Sequence, residues 1–300
     1  LKLIHIFKLM NIRNLILSGG GVKGYSYIGV IKAFEEYDIL KNIKTIVGTS
    51  IGSIFATLVS INYSYKELNE LCLNIDLGKI NNISTENIIN FLNSKGIDDG
   101  DKVERIINIL IKAKTNISDI SFSQLYEWNN INLIINSTCI NEKKNYIFNH
   151  ENTPNLSVVK AIRMSISIPF FYTPVLFNDK YYVDGAVTNN FMIDLFKNEV
   201  NESLGILLTE NEDYNNIDDI YEYIGSILYS MIEKKKYNFN IIEICSNISF
   251  LDFSISDKDK SDLINLGYTN TIEYLNNKPF PHIVFDNFFS RQKLFLLSFT

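Results

Sequence analysis

A serine flanked by glycines is the feature of this chain best suited to do chemistry. Ser50 lies in the pentapeptide Gly48-Thr49-Ser50-Ile51-Gly52, between an apolar run at 45–47 and an apolar, helix-like stretch at 53–61. A serine on a sharp turn from strand to helix, with glycines where side chains would clash, is the pattern of a nucleophile elbow. The structural alternative is a helix N-cap serine. The strand and helix on either side favour a nucleophile.

A glycine-rich run upstream of this elbow offers a place for negative charge. It follows the apolar run at 14–17, and its backbone N–H groups are unobstructed by side chains, as an oxyanion hole requires. The predicted oxyanion-hole residues are Gly19, Gly20, Gly21, Val22, Lys23 and Gly24. An attacking hydroxyl and a site for the resulting oxyanion together predict a serine acyl hydrolase.

The glycine run also has the G-x-G-x-x-G spacing of a dinucleotide-binding loop. That fingerprint needs an acidic residue at the end of the second strand, where it bonds the ribose hydroxyls. Here the second strand ends in Gly48-Thr49-Ser50 and offers no acid. The sequence therefore disfavours a nucleotide site.

The elements that position these motifs alternate between strands and helices. One helix is predicted to begin at residue 25 and to reach about residue 37, and others are predicted over 53–61, 157–165, 217–236 and 258–275. Strands are predicted over 14–17, 45–47, 131–140, 145–148, 181–183, 204–208 and 241–244. This order predicts an α/β fold with a mostly parallel central sheet, helices on both faces and a site at the carboxyl ends of the strands. The polar, helix-prone stretch at 62–130 is interpreted as a helical insertion over the site.

A third motif, Asp184-Gly185-Ala186, follows the predicted strand at 181–183. The glycine run, the elbow and this motif, in that order, resemble the patatin-like phospholipases, which carry an oxyanion motif with a basic residue, a G-x-S-x-G elbow and a D-G-[GA] motif. The resemblance covers residues 14–197. It implies the family's three-layer sandwich, phospholipids or other acyl lipids as substrates, and transient contact with a membrane surface.

The general base is the remaining question of mechanism. Asp-Gly pairs are most often turn residues, but the place of Asp184 in the three-motif order favours a catalytic role. The chain has three histidines, His5, His150 and His282, and none adjoins a motif. We therefore predict that Asp184 accepts the proton of Ser50 directly. Lys23 is interpreted as structural or anion-facing.

The aromatic segment at 169–174 has two interpretations, an acyl-chain wall beside the site or core packing. The same catalytic residues are also compatible with an acyltransferase, and the same fold with a catalytically silent lipid-binding scaffold. The sequence leaves these alternatives open.

The remaining segments complete the predicted domain organisation of the chain. Residues 1–13 are interpreted as an N-terminal extension, with Met10 as a plausible start, 198–277 as the remainder of the same α/β fold, and 278–300 as a phenylalanine-rich tail without an assigned role. No signal peptide and no membrane-spanning helix are predicted, and an intracellular location is expected.

Charge and cysteine content narrow the function classes. The net charge is -6, and no basic run is present, which argues against a nucleic-acid partner. Cys72, Cys139 and Cys245 are widely spaced and expected to be buried thiols. No cluster of metal ligands is visible, so neither a metal nor another cofactor is expected.

Overall fold

A computed structural model of the chain describes residues 11–74, 91–210, 237–252 and 255–277, with isolated positions at 89, 223, 226, 227 and 230. The strands are β1 Asn14–Leu17, β2 Thr45–Gly48, β3 Gly96–Asp98, β4 Asn132–Cys139, β5 Lys144–Phe148, β6 Phe170–Tyr172, β7 Val175–Phe177, β8 Lys180–Val183, β9 Ser203–Glu210 and β10 Asn240–Ser246. The α-helices are α1 Ser26–Glu36, α2 Ile51–Ser60, α3 Tyr65–Asn74, α4 Phe91–Ser94, α5 Asp101–Thr115, α6 Phe122–Asn129, α7 Val158–Ser165, α8 Ala186–Asn189 and α9 Asp257–Asn277.

The central sheet has the strand order β10-β9-β1-β2-β4-β8-β7, with β5 also paired to β4. The strands from β10 to β4 are parallel, and β5, β8 and β7 join antiparallel. The prediction of a mostly parallel α/β sheet flanked by helices is confirmed. Leu17 at the end of β1 pairs with Gly48 at the end of β2, so the glycine run and the elbow leave the sheet side by side.

Successive residues of a strand point to opposite faces of the sheet. All four residues of β1 are buried, so both faces of the sheet are covered there. Leu15 and Leu17 join the main core, which also contains side chains of α1, α2, α7 and α9. Ile16 joins a second cluster, which is closed by Ile193 and Phe196 of a short 3₁₀-helix at Met192–Phe196. Burial on both sides explains why β1 and β2 carry nearly continuous apolar runs.

The stretch at 62–130 contains α3, α4, α5 and α6, as its composition predicts, and also the strand β3, which was not predicted. This strand pairs in parallel with β6 in a two-stranded sheet of its own. Both strands are three residues long, too short to show a period along the chain. The pairing draws the insertion towards the segment that leads to Asp184.

The expectation of buried cysteines is correct for Cys72 and Cys139 and wrong for Cys245, which is exposed. Cys245 lies on β10, where buried and outward-facing residues alternate, and it shares the outward face with Glu243. Its neighbours along the strand, Ile244 and Ser246, are the buried ones.

Several predictions fall on parts of the chain outside the described residues. These are residues 1–10 of the predicted extension, most of the predicted helix at 217–236, and the phenylalanine-rich segment at 278–300. Within the described part, no helix has both the length and the apolar character needed to cross a membrane.

Candidate active site

The elbow holds Ser50 in a backbone conformation that few residues adopt. Ser50 has φ 51° and ψ −126°, and α2 begins at the next residue. Such a left-handed φ costs free energy and is typical of a nucleophile presented on a tight strand-to-helix turn. The two glycines are needed because the turn is closely packed: a Cβ on Gly48 would lie 2.3 Å from the carbonyl oxygen of Gly52, and one on Gly52 2.5 Å from that of Leu17.

The structure brings Ser50 and Asp184 into direct contact across 134 residues of sequence. The hydroxyl Oγ of Ser50 donates to Oδ2 of Asp184 at 2.6 Å. The other carboxylate oxygen, Oδ1, accepts from the backbone N–H of Ala186 at 2.8 Å. Both side chains are buried, with exposed fractions of 5% and 3%. The carboxylate is thus held on both oxygens and aimed at the serine.

Burial dominates the electrostatics of Asp184. It raises the pKa of the Asp184 carboxyl from 3.8 to about 7, against the opposing effects of the hydrogen bonds from Ser50 and Ala186. A carboxylate with a pKa near neutrality is matched to accept a proton from a hydroxyl and to return it.

The glycine run divides into N–H groups that are already bonded and N–H groups that are free. Gly19 donates to the carbonyl of Asn190, and Val22 and Lys23 donate to other backbone carbonyls. Within the described part of the chain, the N–H groups of Gly20 and Gly21 have no acceptor. Of the six predicted oxyanion-hole residues, these two offer free donors beside Ser50.

The other predicted residues shape the loop. Gly21 has φ +54°, and a Cβ there would lie 1.8 Å from the carbonyl oxygen of Phe250, so glycine is required. Gly24 leaves room for the side chain of Ile51, which would lie 2.3 Å from an added Cβ. These contacts fix the loop against the elbow and against the segment at 246–252.

Lys23 is buried and its Nζ forms an ion pair with Oε1 of Glu210 at 2.8 Å. Burial lowers the pKa of Lys23, and Glu210 opposes that shift. Glu210 also accepts from the backbone N–H of Phe250, whose carbonyl accepts from Val22. Lys23 therefore ties the glycine loop to the end of β9.

Three polar residues that support the site were not identified from the sequence. Ser165 accepts the backbone N–H of Ser50 on its Oγ at 2.9 Å. Asn136, in the middle of β4, accepts from the hydroxyl of Thr49 at 2.8 Å and donates to the carbonyl of Asn189 at 3.0 Å. An asparagine directly after the apolar residues 133–135 of a predicted strand is a usable signal, because buried polar groups need partners.

The third of these residues, Arg163, is buried and joins three segments. Its guanidinium donates to Ser167, to the carbonyl of Asp99 at 2.6 Å and to the carbonyl of Thr173 at 3.1 Å. It thereby fixes the turn between β3 and α5 against the segment that follows α7.

His150, the histidine that lies within the described residues, does not belong to the site. His150 stacks on Tyr126 with ring centroids 3.8 Å apart, and its Nδ1 lies 3.0 Å from Oδ1 of Asn132. The carboxylate of Asp184 instead faces Ser50 and the N–H of Ala186. His5 and His282 lie outside the described residues. The part of the chain that the structure describes has no group of three or more His, Cys, Asp or Glu side chains placed to hold a metal ion.

Two cavities meet at Ser50. The first, the apolar cavity, has a volume of about 200 Å³ and runs between α1, α2, α3 and α5. Its lining comprises Gly21, Val22, Tyr25, Ile28, Ser50, Ile51, Ile54, Phe55, Leu58, Leu68, Leu71, Cys72, Val103, Ile106, Ile107, Leu110, Ile166, Ile168 and Tyr172. The helices of the insertion thus cover the site, and their apolar stripe at 103, 106, 107 and 110 has the spacing of one helix face.

The second, the glycine-loop cavity, has a volume of about 60 Å³ and shares Gly21, Ser50 and Ile168 with the first. It is lined by residues of the glycine run, by Asp184 and residues shortly after it, and by side chains from three other segments, among them Pro169, Leu208 and Phe250. Of the aromatic segment at 169–174, Pro169 lines this cavity and Tyr172 the apolar one, whereas the buried Phe171 packs against Tyr172. The segment thus contributes both to the lining of the two cavities and to the packing of the core.

Comparison with known proteins gives a consistent result. A family model described as patatin-like phospholipase matches residues 15–197. A protein of Acanthamoeba polyphaga mimivirus is 35% identical over 274 residues, which are 85% of this chain and 91% of that protein. A protein of Invertebrate iridescent virus 6, named a probable lipid hydrolase, is 29% identical over 188 residues, 61% of this chain and 62% of that protein.

Among solved structures, VipD from Legionella pneumophila superposes with a TM-score of 0.63. The match covers 88% of this chain and 67% of VipD at 17% sequence identity. At that identity, the similarity concerns the fold.

Proposed function

Since the chain belongs to the patatin-like phospholipase family, we propose that it is a serine acyl hydrolase that cleaves fatty-acyl esters of phospholipids or related lipids. Ser50 is the nucleophile and Asp184 its base. The observation that carries this proposal is the 2.6 Å hydrogen bond from Ser50 to Asp184 at the junction of the two cavities.

In the first half of the reaction, Asp184 takes the proton of Ser50 while Oγ attacks the ester carbonyl carbon. The free N–H groups of Gly20 and Gly21 donate to the oxyanion, and the positive end of the α2 dipole adds to its stabilisation. The tetrahedral intermediate then collapses. Asp184 gives its proton to the departing alcohol, and the acyl group stays on Ser50.

In the second half, water takes the place of the alcohol. Asp184 removes one of its protons, the resulting hydroxide attacks the acyl-serine carbonyl, and the same two N–H groups hold the oxyanion. Collapse releases the fatty acid, and Ser50 recovers its proton from Asp184. Each step moves a proton by way of one carboxylate, so a histidine is not required.

The two cavities support lipid esters as the substrate class. The apolar cavity suits a hydrocarbon chain, because almost every residue of its lining is aliphatic or aromatic. The glycine-loop cavity also reaches Ser50, contains the proposed base Asp184 in its lining, and suits the alcohol part of the ester. We therefore assign the acyl chain to the first and the leaving group to the second.

The function is tested with a phospholipid that carries two different acyl chains. Native protein and Ser50→Ala are incubated with it, and fatty acid and lysophospholipid are quantified by mass spectrometry. We expect both products from the native protein and neither from the variant. Absence of products from folded native protein would favour a lipid-binding scaffold, and transfer of the acyl group to an added alcohol with little fatty acid released would favour an acyltransferase.

The raised pKa of Asp184 predicts the pH dependence of activity. Only the ionised carboxylate accepts the proton of Ser50, so kcat/KM for a water-soluble ester should fall about tenfold per pH unit below about 7 and level off above it. A rate that is constant between pH 5 and 7, with the fold intact by circular dichroism, would contradict the role of Asp184.

The same shift predicts the sign of a stability effect. In the unfolded chain the carboxyl ionises near pH 3.8, whereas in the native state it keeps its proton until about pH 7. The native state therefore binds more protons between these values, and this group's contribution to the free energy of unfolding decreases as pH rises from about 4 to about 7. Comparing the chemical denaturation of native protein and Asp184→Asn across this range isolates that contribution.

A membrane surface is the proposed partner of this site, and we assign the contact to a rim patch formed by Leu92, Phe170 and Leu176. These side chains are 87%, 52% and 56% exposed. Phe170 follows Pro169, which lines the glycine-loop cavity, and it has φ 69°, a conformation that a bulky residue rarely adopts. In this conformation the aromatic ring of Phe170 is half exposed beside the site.

Lys95 is related to each residue of the rim patch through the chain or through strand pairing. Lys95 follows Leu92 by one turn and precedes Gly96, which pairs with Phe170. Its Nζ lies 5.4 Å from the ring of Tyr181, and Tyr181 pairs with Leu176. Exposed apolar side chains around a lysine match the apolar and phosphate layers of a lipid interface.

The variant Leu92→Ser combined with Phe170→Ser tests this contact. We expect hydrolysis of phospholipid vesicles to fall by on the order of 10³-fold, because each of the two apolar side chains inserted is worth about 2 kcal/mol and every ~1.4 kcal/mol is a factor of ten. Hydrolysis of a water-soluble ester should stay within twofold. Leu195→Ser, another exposed leucine, is the matched control. Equal loss on both substrates, or no loss on vesicles, would contradict the assignment.

A further inference from the structure

The apolar cavity has a near end and a far end, and the elements that line it fix both. At the near end, Ser50 and Ile168 line both cavities. Val103 of α5 packs against the cluster that contains Ile168. The first turn of α5 therefore lies beside the proposed nucleophile.

The far end lies where α2 finishes and α3 begins. There, the hydroxyl of Tyr63 donates to the carbonyl of Leu110 at 2.9 Å, and Nζ of Lys114 donates to the carbonyl of Asn62 at 3.2 Å. These bonds place the second half of α5 against the loop after α2. Leu110 therefore lines the cavity at the end remote from Ser50.

The lining residues of α2 and α3 give the same positions for the near end and the far end. Leu58 lies two turns beyond Ser50 on α2, and Leu68 lies in the first turn of α3, close to the loop after α2. Tyr65, the first residue of α3, donates its backbone N–H to Glu35 in the last turn of α1, whereas Cys72, farther along α3, lines the cavity together with Tyr25, which precedes α1 and lies next to the glycine run. Thus α3 runs back towards the near end.

The depth of the cavity follows from α2. Eight residues separate Ser50 from Leu58, which corresponds to about 12 Å at the helical rise of ~1.5 Å per residue. An extended chain advances about 1.2 Å per bond, as a polypeptide does over its three bonds per residue. About ten bonds of an acyl chain therefore reach from the serine to the far end.

We propose that the apolar cavity limits the length of the acyl chain that it can bury to about ten carbons, and that Leu58, Leu68 and Leu110 set this limit. This inference rests on the proposed function, because the chain enters the cavity from an ester held at Ser50. Carbons up to about the tenth exchange water for aliphatic side chains, and those beyond it gain no further burial.

The test is a series of p-nitrophenyl esters with acyl chains of 4 to 16 carbons. We expect kcat/KM to rise about fourfold per methylene, the value of one buried CH₂, up to about ten carbons, and then to level off or fall. In Leu110→Phe the larger side chain fills the far end, so the break should move to about eight carbons and decanoate hydrolysis should fall on the order of tenfold relative to octanoate.

Ile109→Phe is the matched control. It adds an aromatic ring at the adjacent position of α5, where the side chain is 65% exposed and does not line the cavity. The break should stay at about ten carbons. A native profile that keeps rising to sixteen carbons, or a break that is the same in native protein and Leu110→Phe, would overturn the proposal.

A binding series separates this proposal from the proposed function. Thermal stabilisation by 1-alkanols of 6 to 14 carbons is measured for native protein and Leu110→Phe. If no ester is hydrolysed but stabilisation increases to about ten carbons and the variant shortens that limit, the chemistry is wrong and the chain-length limit stands. If esters are hydrolysed and neither series shows a limit that moves with Leu110, the chain-length limit is wrong.

Discussion

Ser50→Ala is expected to lower kcat for ester hydrolysis by on the order of 10⁶-fold, the scale observed when a catalytic nucleophile is removed from a serine hydrolase. The hydroxyl that donates to Asp184 is the atom that forms the acyl-enzyme bond, and no other serine hydroxyl bonds this carboxylate among the described residues. The measurement is the steady-state hydrolysis of a soluble ester, with the fold monitored by circular dichroism.

Ser60→Ala is a suitable control for this variant. Ser60 is buried at the end of α2 and donates to the carbonyl of Thr57, so its removal deletes a hydroxyl of the same helix without touching the site. Its activity should stay within a few-fold of native. Hydrolysis that survives in Ser50→Ala at more than about a hundredth of the native rate would place the nucleophile elsewhere.

Asp184→Asn should lower turnover by about 10² to 10⁴, the range typical of losing a general base. An asparagine can still accept the N–H of Ala186, but its amide cannot take the proton of Ser50. Because the substitution also removes a carboxyl whose ionisation is opposed by burial, the variant should be at least as stable as native protein near pH 8. Loss of activity together with retained stability separates a chemical role from a structural one.

The companion experiment replaces His5, His150 and His282 together. Turnover should stay within a few-fold of native, because the base is a carboxylate. His150 is the informative member, since its ring stacks on Tyr126 away from the serine. If one histidine replacement abolished turnover while the fold survived, the Ser-Asp dyad would be wrong.

The sequence predicts the backbone of this site better than its surroundings. The glycine run, the elbow and Asp184 are recognisable because each combines unusual backbone demands with a reactive or polar group over a few consecutive residues. Strands β1 and β2 are equally visible, since burial on both faces makes them nearly continuous apolar runs. Such signals are local, so they can be recognised in a single sequence.

What the sequence does not reveal depends on contacts between distant segments. Ser165 reaches the backbone of Ser50 across 115 residues, and Asn136 reaches Thr49 across 87. The apolar cavity likewise arises from four helices that meet in space. The stripe from Val103 to Leu110 shows which face of α5 is apolar, but only the tertiary structure shows that this face looks towards the serine.

Labelling by a fluorophosphonate that carries an alkyl chain tests the central claim most directly. An activated serine beside an oxyanion hole attacks phosphorus as it does an ester carbon, and the product is stable enough for peptide mapping. Native protein should carry one phosphonyl group, located by fragmentation at Ser50 within the tryptic peptide of residues 45–66. Ser50→Ala should carry none, and Asp184→Asn should be labelled far more slowly. A label on any other residue, or no label on native protein that hydrolyses the ester, would contradict the assignment of Ser50 as the nucleophile.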